Sequence, residues 1–223
     1  MVLTREKIKQ GWIQELVAQV DGPVKPLTLD ELRASREAIL AELPPGEDVW
    51  VFGYGSLIWN PCIEFAEKRI ARVVGYHRRF CLWTHSGRGT RDNPGLMLGL
   101  EAGGSCRGVA FRVPHEAIES ELDIVWRREM VMASYRPVWV RLATTGGRLR
   151  AIAFVINRSH ERYAGKLGDE RIVEALASAC GPLGSCADYL FNTVAHLDEL
   201  GIHDPGMHRL CAAVRRQQAA LQA

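Results

Sequence analysis

None of the six cysteines in this chain forms a Cys-x-x-Cys pair, and none of its seven histidines forms a His-x-x-x-His pair. The spacings that build a zinc ribbon or a metallopeptidase helix are therefore missing, and no metal site is expected. Cys62, Cys81, Cys106, Cys180, Cys186 and Cys211 are scattered through a sequence too long to need a disulfide framework, which implies reduced thiols. Net charge is also small. The 28 Lys and Arg against 26 Asp and Glu leave +2, and the basic residues are dispersed, so nucleic acid is not an expected partner. No apolar run approaches the length of a membrane span. Arg5, Glu6 and Lys7 precede Ile8 without the apolar stretch of a secretory signal, so no membrane partner is expected and the cytoplasm is the expected compartment. Internal repeats and low-complexity tracts are absent as well.

What is present is a chain of 223 residues, 47% of them hydrophobic, enough for one sizeable core. It divides into three zones. Before Pro44 the pattern is helical: Ile8, Trp12, Leu16 and Val20 recur at fours. Thr28 and Glu31 then have the spacing of a capping box that starts a second helix, stopped by Pro44-Pro45-Gly46. Residues 1–46 read as an N-terminal helical extension packed on the main domain, with a dimer contact as the alternative. From Asp48 to about Asn157 strand signals dominate: Val49 to Tyr54, Ala71 to Tyr76, Arg79 to Thr84, Leu96 to Leu100, Gly108 to Val113, and a hairpin from Arg136 to Ile156 turning at Gly146-Gly147. Beyond Gly165 helical spacing returns through Ile172, Leu176 and Ala179, then Tyr189, Val194, Leu197 and Leu200, then Met207 to Leu221. The expectation for residues 47–223 is an α+β domain with a compact, mostly antiparallel or mixed sheet. A monomer is expected, because no coiled-coil heptads or unpaired apolar helix face stand out.

The stretch from Val51 to Trp59 reads Val-Phe-Gly-Tyr-Gly-Ser-Leu-Ile-Trp. Its first half argues a buried strand. The glycines and serine that follow argue a tight loop whose backbone N–H groups are left bare, and bare N–H groups bind anions. Gly53-Tyr54-Gly55-Ser56-Leu57-Ile58 lacks the third glycine of the dinucleotide fingerprint, and no acidic residue follows at the expected distance. Ser56 lacks the flanking glycines of a nucleophile elbow, and no lysine and hydroxyl pair follows Gly55 as in a P-loop. Ser56 is read as a hydrogen-bond donor. A strand ending in an ordinary glycine turn is the plainer alternative.

A helix inside the strand zone carries a second signal. After Pro114, residues His115 to Glu129 place Ile118, Leu122 and Val125 on one face, and the next position of that stripe is Glu129. A carboxyl group turned inward is desolvated, so its pKa rises from about 4.3 toward the range of a general base. Equally open from the sequence is an ion pair with Arg127, Arg128 or another arginine, or a frayed helix end in water. Glu116, Glu119, Glu121 and Asp123 read as a solvated helix face without chemistry. Arg88, in Gly87-Arg88-Gly89-Thr90, could clasp a carboxylate through its planar fork or stand in an exposed turn. Tyr135 and Tyr189 could orient a substrate or simply satisfy backbone partners. His77, His85 and His160 have no partner visible in the sequence.

Taken in order, several strings closely resemble the ChaC family over about Val49 to Leu210. They are Phe52 to Trp59, Gly-Tyr-His-Arg-Arg-Phe at Gly75 to Phe80, Arg-Gly-Thr at Arg88 to Thr90 with Pro94-Gly95, Arg-Glu at Arg128 and Glu129, and Asp-Tyr-Leu at Asp188 to Leu190. The resemblance implies a γ-glutamylcyclotransferase-like fold with a barrel-like mixed sheet and packed helices. It also implies glutathione as the small-molecule partner, cleaved to 5-oxoproline and cysteinylglycine. Carried over by residue, the substrate-binding loop falls on Tyr54, Gly55, Ser56 and Leu57 and the catalytic glutamate on Glu129; Arg88, Tyr135 and Tyr189 are added as substrate-binding expectations. In that reaction the substrate's own α-nitrogen closes a five-membered lactam, so no enzyme nucleophile and no cofactor are required. Many eukaryotic relatives follow the Arg-Glu pair with a lysine and two glycines before a tyrosine, whereas here Met130-Val131-Met132-Ala133-Ser134 precede Tyr135. Two alternatives are carried: the same reaction on other γ-glutamyl compounds, since fold does not fix the leaving group, and a non-enzymatic regulator associated with cation transport.

Overall fold

The computed structural model describes residues 3–19 and 25–222. Val20, the last position of the first apolar stripe, lies outside the described residues. The rest of that stripe forms two short helices, α1 (Arg5–Lys9) and α2 (Trp12–Ala18), where the sequence pattern suggests one. Gly11 separates them at φ 81°, a left-handed conformation that a residue without Cβ adopts freely. The break turns the inward face from Trp12 and Leu16 to Ile13 and Val17, which are buried together with Ile8. Helix α3 (Leu29–Leu40) begins at the expected capping box: Glu31 N donates to Thr28 Oγ1 at 3.2 Å and Thr28 N to Glu31 Oε2 at 2.7 Å.

Five strands, β1 (Val49–Gly53), β2 (Glu67–Thr84), β3 (Gly95–Val113), β4 (Tyr135–Thr144) and β5 (Gly147–Ile156), close into a barrel in the order β1-β3-β2-β4-β5. Closure is parallel, through Val51 opposite Ile152 and Phe52 opposite Ala153. The segments Ala71 to Tyr76 and Arg79 to Thr84 are one strand, β2, and Leu96 to Leu100 and Gly108 to Val113 are likewise one, β3. Register slips between Val74 and Tyr76, and again between Phe80 and Leu82. Such bulges sharpen the local twist and let a long antiparallel pair wrap around a barrel.

A 3-10 turn (His115–Ala117) leads into α4 (Ile118–Glu129). After the barrel come α5 (Asp169–Ser178), a ribbon of β6 (Cys180–Gly181) and β7 (Gly184–Ser185), α6 (Cys186–Glu199) and α7 (Pro205–Gln222). Strand β1 separates two halves of the core, as its period of two requires. Phe52 and the following Tyr54 pack with Leu98, Leu176, Leu190 and Val214. Val49 and Val51 pack with Leu122, Val125 and Trp126 of α4 and with Ile8 and Ile39 of the N-terminal helices.

The acidic face of α4 is solvated only in part: Glu116, just ahead of the helix, and Glu119 are exposed as its composition suggests, but Glu121 is not. Glu121 is buried, ion-paired with Arg5 (Nη2 to Oε1 2.6 Å), and accepts from Glu64 N at 2.8 Å. Asp123 accepts from the buried Arg36 at 3.0 Å, and Glu119 pairs with the same guanidinium. The face is the docking surface of α1 and α3. Burial alone would push the Glu121 carboxyl up, but the hydrogen bonds from Arg5, Glu64 N and Ser120 outweigh it and hold the group below its ordinary value.

Candidate active site

Beyond Gly53 the chain turns sharply through residues 54–59, with Ile58 N donating to Gly55 O at 2.9 Å and Asn60 N to Ser56 O at 2.8 Å. The N–H groups of Gly55, Ser56 and Leu57 donate no hydrogen bond among the described residues. Tyr54 turns back into the barrel, where its hydroxyl donates to Phe154 O at 2.8 Å, while its own carbonyl accepts from Arg78 Nε at 2.5 Å. The loop has no space for a side chain at position 55: a Cβ there would lie 2.9 Å from the Tyr189 hydroxyl.

Tyr54, Gly55, Ser56, Leu57, Arg88, Glu129, Tyr135 and Tyr189 all line one cavity of about 420 Å³, a volume usual for small-molecule sites. Glu129 ends α4 with its side chain only 14% exposed and its Oε1 3.0 Å from Arg128 Nε. Burial raises its pKa, and the charge and hydrogen bond of Arg128 only partly oppose that rise. The two sequence readings of Glu129, a desolvated acid and an ion-paired one, hold together. The same arginine donates to Ser56 Oγ at 2.7 Å and to Asn60 O. Ser56 accepts here, because a guanidinium can only donate, and its own O–H stays available for the donor role read from the sequence.

The tyrosines divide by partner. Tyr135 donates to Leu98 O at 2.8 Å, so its hydroxyl, like that of Tyr54, is satisfied by backbone. Tyr189 is buried edge-on against Phe80 at 6.0 Å. Burial and the nearby Glu129 carboxylate push its hydroxyl up to about 12, which keeps it protonated. Arg88 lies over the Tyr189 ring at 5.2 Å and donates to Ser185 O at 3.0 Å. Burial lowers its pKa, and no carboxylate among the described residues reaches ion-pair distance.

Residues 49–217 match the family profile described as ChaC-like protein. The chain belongs to the ChaC family. Among ChaC relatives, the glutathione-specific gamma-glutamylcyclotransferase of Escherichia coli (strain K12) is 43% identical over 188 residues, 84% of this chain and 81% of that protein. Glutathione-specific gamma-glutamylcyclotransferase 1 of Homo sapiens is 31% identical over 147 residues, 64% of this chain and 66% of its own length. The crystal structure of the yeast gamma-glutamyl cyclotransferase specific to glutathione superposes with a TM-score of 0.70 at 20% identity, covering 76% of this chain and 96% of that one. The α+β, barrel-like fold expected from the sequence is thus the ChaC fold.

Several lining residues of this ChaC cavity were not legible beforehand. Leu3, ahead of α1, and Ile13, Leu16 and Val17 of α2 form one side of it, although the family match begins only at residue 49. Val131, Met132 and Ser134 come from the segment after Glu129 that departs from many eukaryotic relatives. Arg162 also lines the cavity. Outside it, Asp198, His203 and His208 bring potential metal-ligand atoms within 4.8 Å of one another, with His208 Nε2 already 2.9 Å from Asp198 Oδ1. A search for helical His-x-x-x-His spacing misses this group, because His203 precedes α7 and Asp198 belongs to α6.

Proposed function

We propose that this protein is a glutathione-specific γ-glutamylcyclotransferase, with residues 47–223 as the catalytic domain and Glu129 as its general acid and base. The observation that carries the reading is a desolvated carboxyl sharing one cavity with the unbonded amides of residues 55–57. The activities of the ChaC relatives support it.

The Glu129 carboxylate takes a proton from the substrate α-ammonium and frees the nitrogen lone pair. That nitrogen attacks the γ-carbonyl carbon of its own residue, forming the lactam C–N bond. Glu129, now protonated, returns the proton to the departing cysteinyl nitrogen as the original amide C–N bond breaks. The remaining proton shed by the lactam nitrogen ends on the released amine. The products are 5-oxoproline and cysteinylglycine, and no water is consumed. The amides of Gly55, Ser56 and Leu57 hold a negative oxygen of the glutamyl group; donors aimed at a developing oxyanion are worth about 3 kcal/mol. Arg128 positions Glu129 and the loop together. Arg88, against Tyr189, takes the α-carboxylate through its planar fork.

Residues 1–46 serve as an extension that walls one side of the site. The chain is read as a monomer. The six cysteines are free, which suits the reducing cytoplasm where glutathione is held. No helix among the described residues is long and apolar enough to cross a membrane.

The test is incubation of purified protein with glutathione, with 5-oxoproline and cysteinylglycine followed by mass spectrometry and Glu129→Gln as control. Release of both products by wild type alone supports the reading. No 5-oxoproline from wild type, or most of the turnover kept by Glu129→Gln, would reject it.

A further inference from the structure

We infer that Arg162 binds the carboxylate at the glycine end of glutathione and so selects for a leaving group with a C-terminal charge. The inference rests on the proposed activity and extends it to a residue outside the motifs read from the sequence.

Arg162 lies between β5 and α5, on a segment laid against β2. Trp83 N donates to Arg162 O at 2.8 Å, Ala164 N donates to Cys81 O at 2.8 Å, and Tyr163 bridges to Leu82 between them. The Tyr163 hydroxyl donates to Glu101, itself paired with Arg79 at 2.8 Å. The backbone of Arg162 is therefore fixed on both sides, and a side chain held this way loses little further freedom on binding.

Its guanidinium, unlike the others of the lining, has no hydrogen-bond acceptor among the described residues. Arg162 Nε is buried without an acceptor, and no carboxylate among the described residues lies within ion-pair distance of the group. The other arginines of the lining are engaged: Arg128 with Glu129 and Ser56, Arg88 with Ser185 O and the Tyr189 ring. Burial lowers the Arg162 pKa, and only the neighbouring Glu161 opposes this. A guanidinium whose Nε is buried without an acceptor is costly in the empty protein, and a carboxylate ligand supplies what is missing.

Glutathione carries two carboxylates, one at each end. The Glu129 charge acts on Tyr189, and Arg88 stacks on that ring, which places Arg88 with the glutamyl end. Arg162 instead meets the cavity along β2, where Trp83 N donates to Arg162 O at 2.8 Å and Leu82, Trp83 and Thr84 line the wall. With the reacting amide at Glu129 and the α-carboxylate at Arg88, the glycine carboxylate extends toward Arg162.

The experiment compares wild type, Arg162→Gln and Arg162→Lys on glutathione and on γ-glutamylcysteinylglycinamide, which lacks the distal charge. For glutathione, Arg162→Gln is expected to raise KM about 10- to 100-fold while kcat stays nearly constant. Arg162→Lys should recover part of the loss, as a point charge without the fork. The glycinamide should be handled alike by all three proteins. Arg162→Gln should also keep or raise Tm, because it removes an uncompensated buried group; a structural arginine would lower it. Unchanged KM for glutathione, equal losses on both substrates, or a lowered Tm would overturn the inference. Calorimetric Kd values for both compounds, measured in the Glu129→Gln background with and without Arg162→Gln, read the same preference without turnover. If wild type fails to cleave glutathione, the proposed activity falls while this arm still decides Arg162: a charge preference abolished by the second substitution supports the inference, and its absence overturns it.

Discussion

Arg128 Nε lies 3.0 Å from Glu129 Oε1 while the far end of the same guanidinium lies 2.7 Å from Ser56 Oγ. Neighbours on a helix diverge by about 100°, so this contact requires the long arginine to fold back past the next residue. One side chain thereby sets the charge balance of the acid and tethers the amide loop. Removing it in Arg128→Gln takes away what opposes burial at Glu129. The acid limb of kcat/KM is expected to move to higher pH than in wild type. A pH–rate profile checks this, and an unmoved limb would count against the pairing.

Glu129→Gln should lower kcat by about 10²- to 10⁴-fold, the usual range for a general acid–base. The effect on stability has the opposite sign. The folded-state pKa of Glu129 is raised above the ordinary carboxylate value by burial, so between the two values the native state binds more protons than the unfolded one. For this group, stability rises as pH falls through the raised pKa and is reduced above it. Thermal melts across pH should lose that contribution in Glu129→Gln, with no loss of Tm at neutral pH.

Gly55→Ala places a methyl group 2.9 Å from the Tyr189 hydroxyl. Tyr189 is buried against Phe80 and Trp59 and does not yield easily. The loop must shift instead, and misplacements on the order of 1 Å cost about 10²-fold in rate. The expected outcome is a loss of that size in kcat/KM with a near-native circular dichroism spectrum. Wild-type kinetics would show that the loop tolerates displacement.

Arg5→Ala strips the buried Glu121 of its charge partner. Breaking such a pair costs about 3 kcal/mol, read as a lower urea midpoint. The Glu121 pKa lies below its ordinary value because the hydrogen bonds it accepts outweigh burial. Its contribution is therefore full above that value and lost as pH falls through the depressed folded pKa. The gap between wild type and variant should narrow in acid; a constant gap would assign the effect to packing alone.

Local signals carried far in this chain, and non-local ones did not. The strand at Val49 to Gly53, the turn after it, the capping box at Thr28 and the stripe ending in Glu129 all depend on neighbours within a few residues, and each is present. The joining of two short segments into β2 across His77 and Arg78 depends on β3 lying alongside, which no local pattern encodes. The inward turn of Glu121 depends on an arginine 116 residues away. Arg162 stands in a polar stretch with no motif, and only the closure of the barrel brings it to the cavity.

The parallel seam between β1 and β5 has a consequence for synthesis. The four residues 54–57 are contiguous, yet the Tyr54 hydroxyl is fastened to Phe154 O, 100 positions later. A nascent chain still lacking its fifth strand already contains every amide of the cradle and the arginines that tether it, but not the carbonyl that fastens the Tyr54 hydroxyl. Competence to bind therefore emerges late on the ribosome, in one step with the sealing of the barrel.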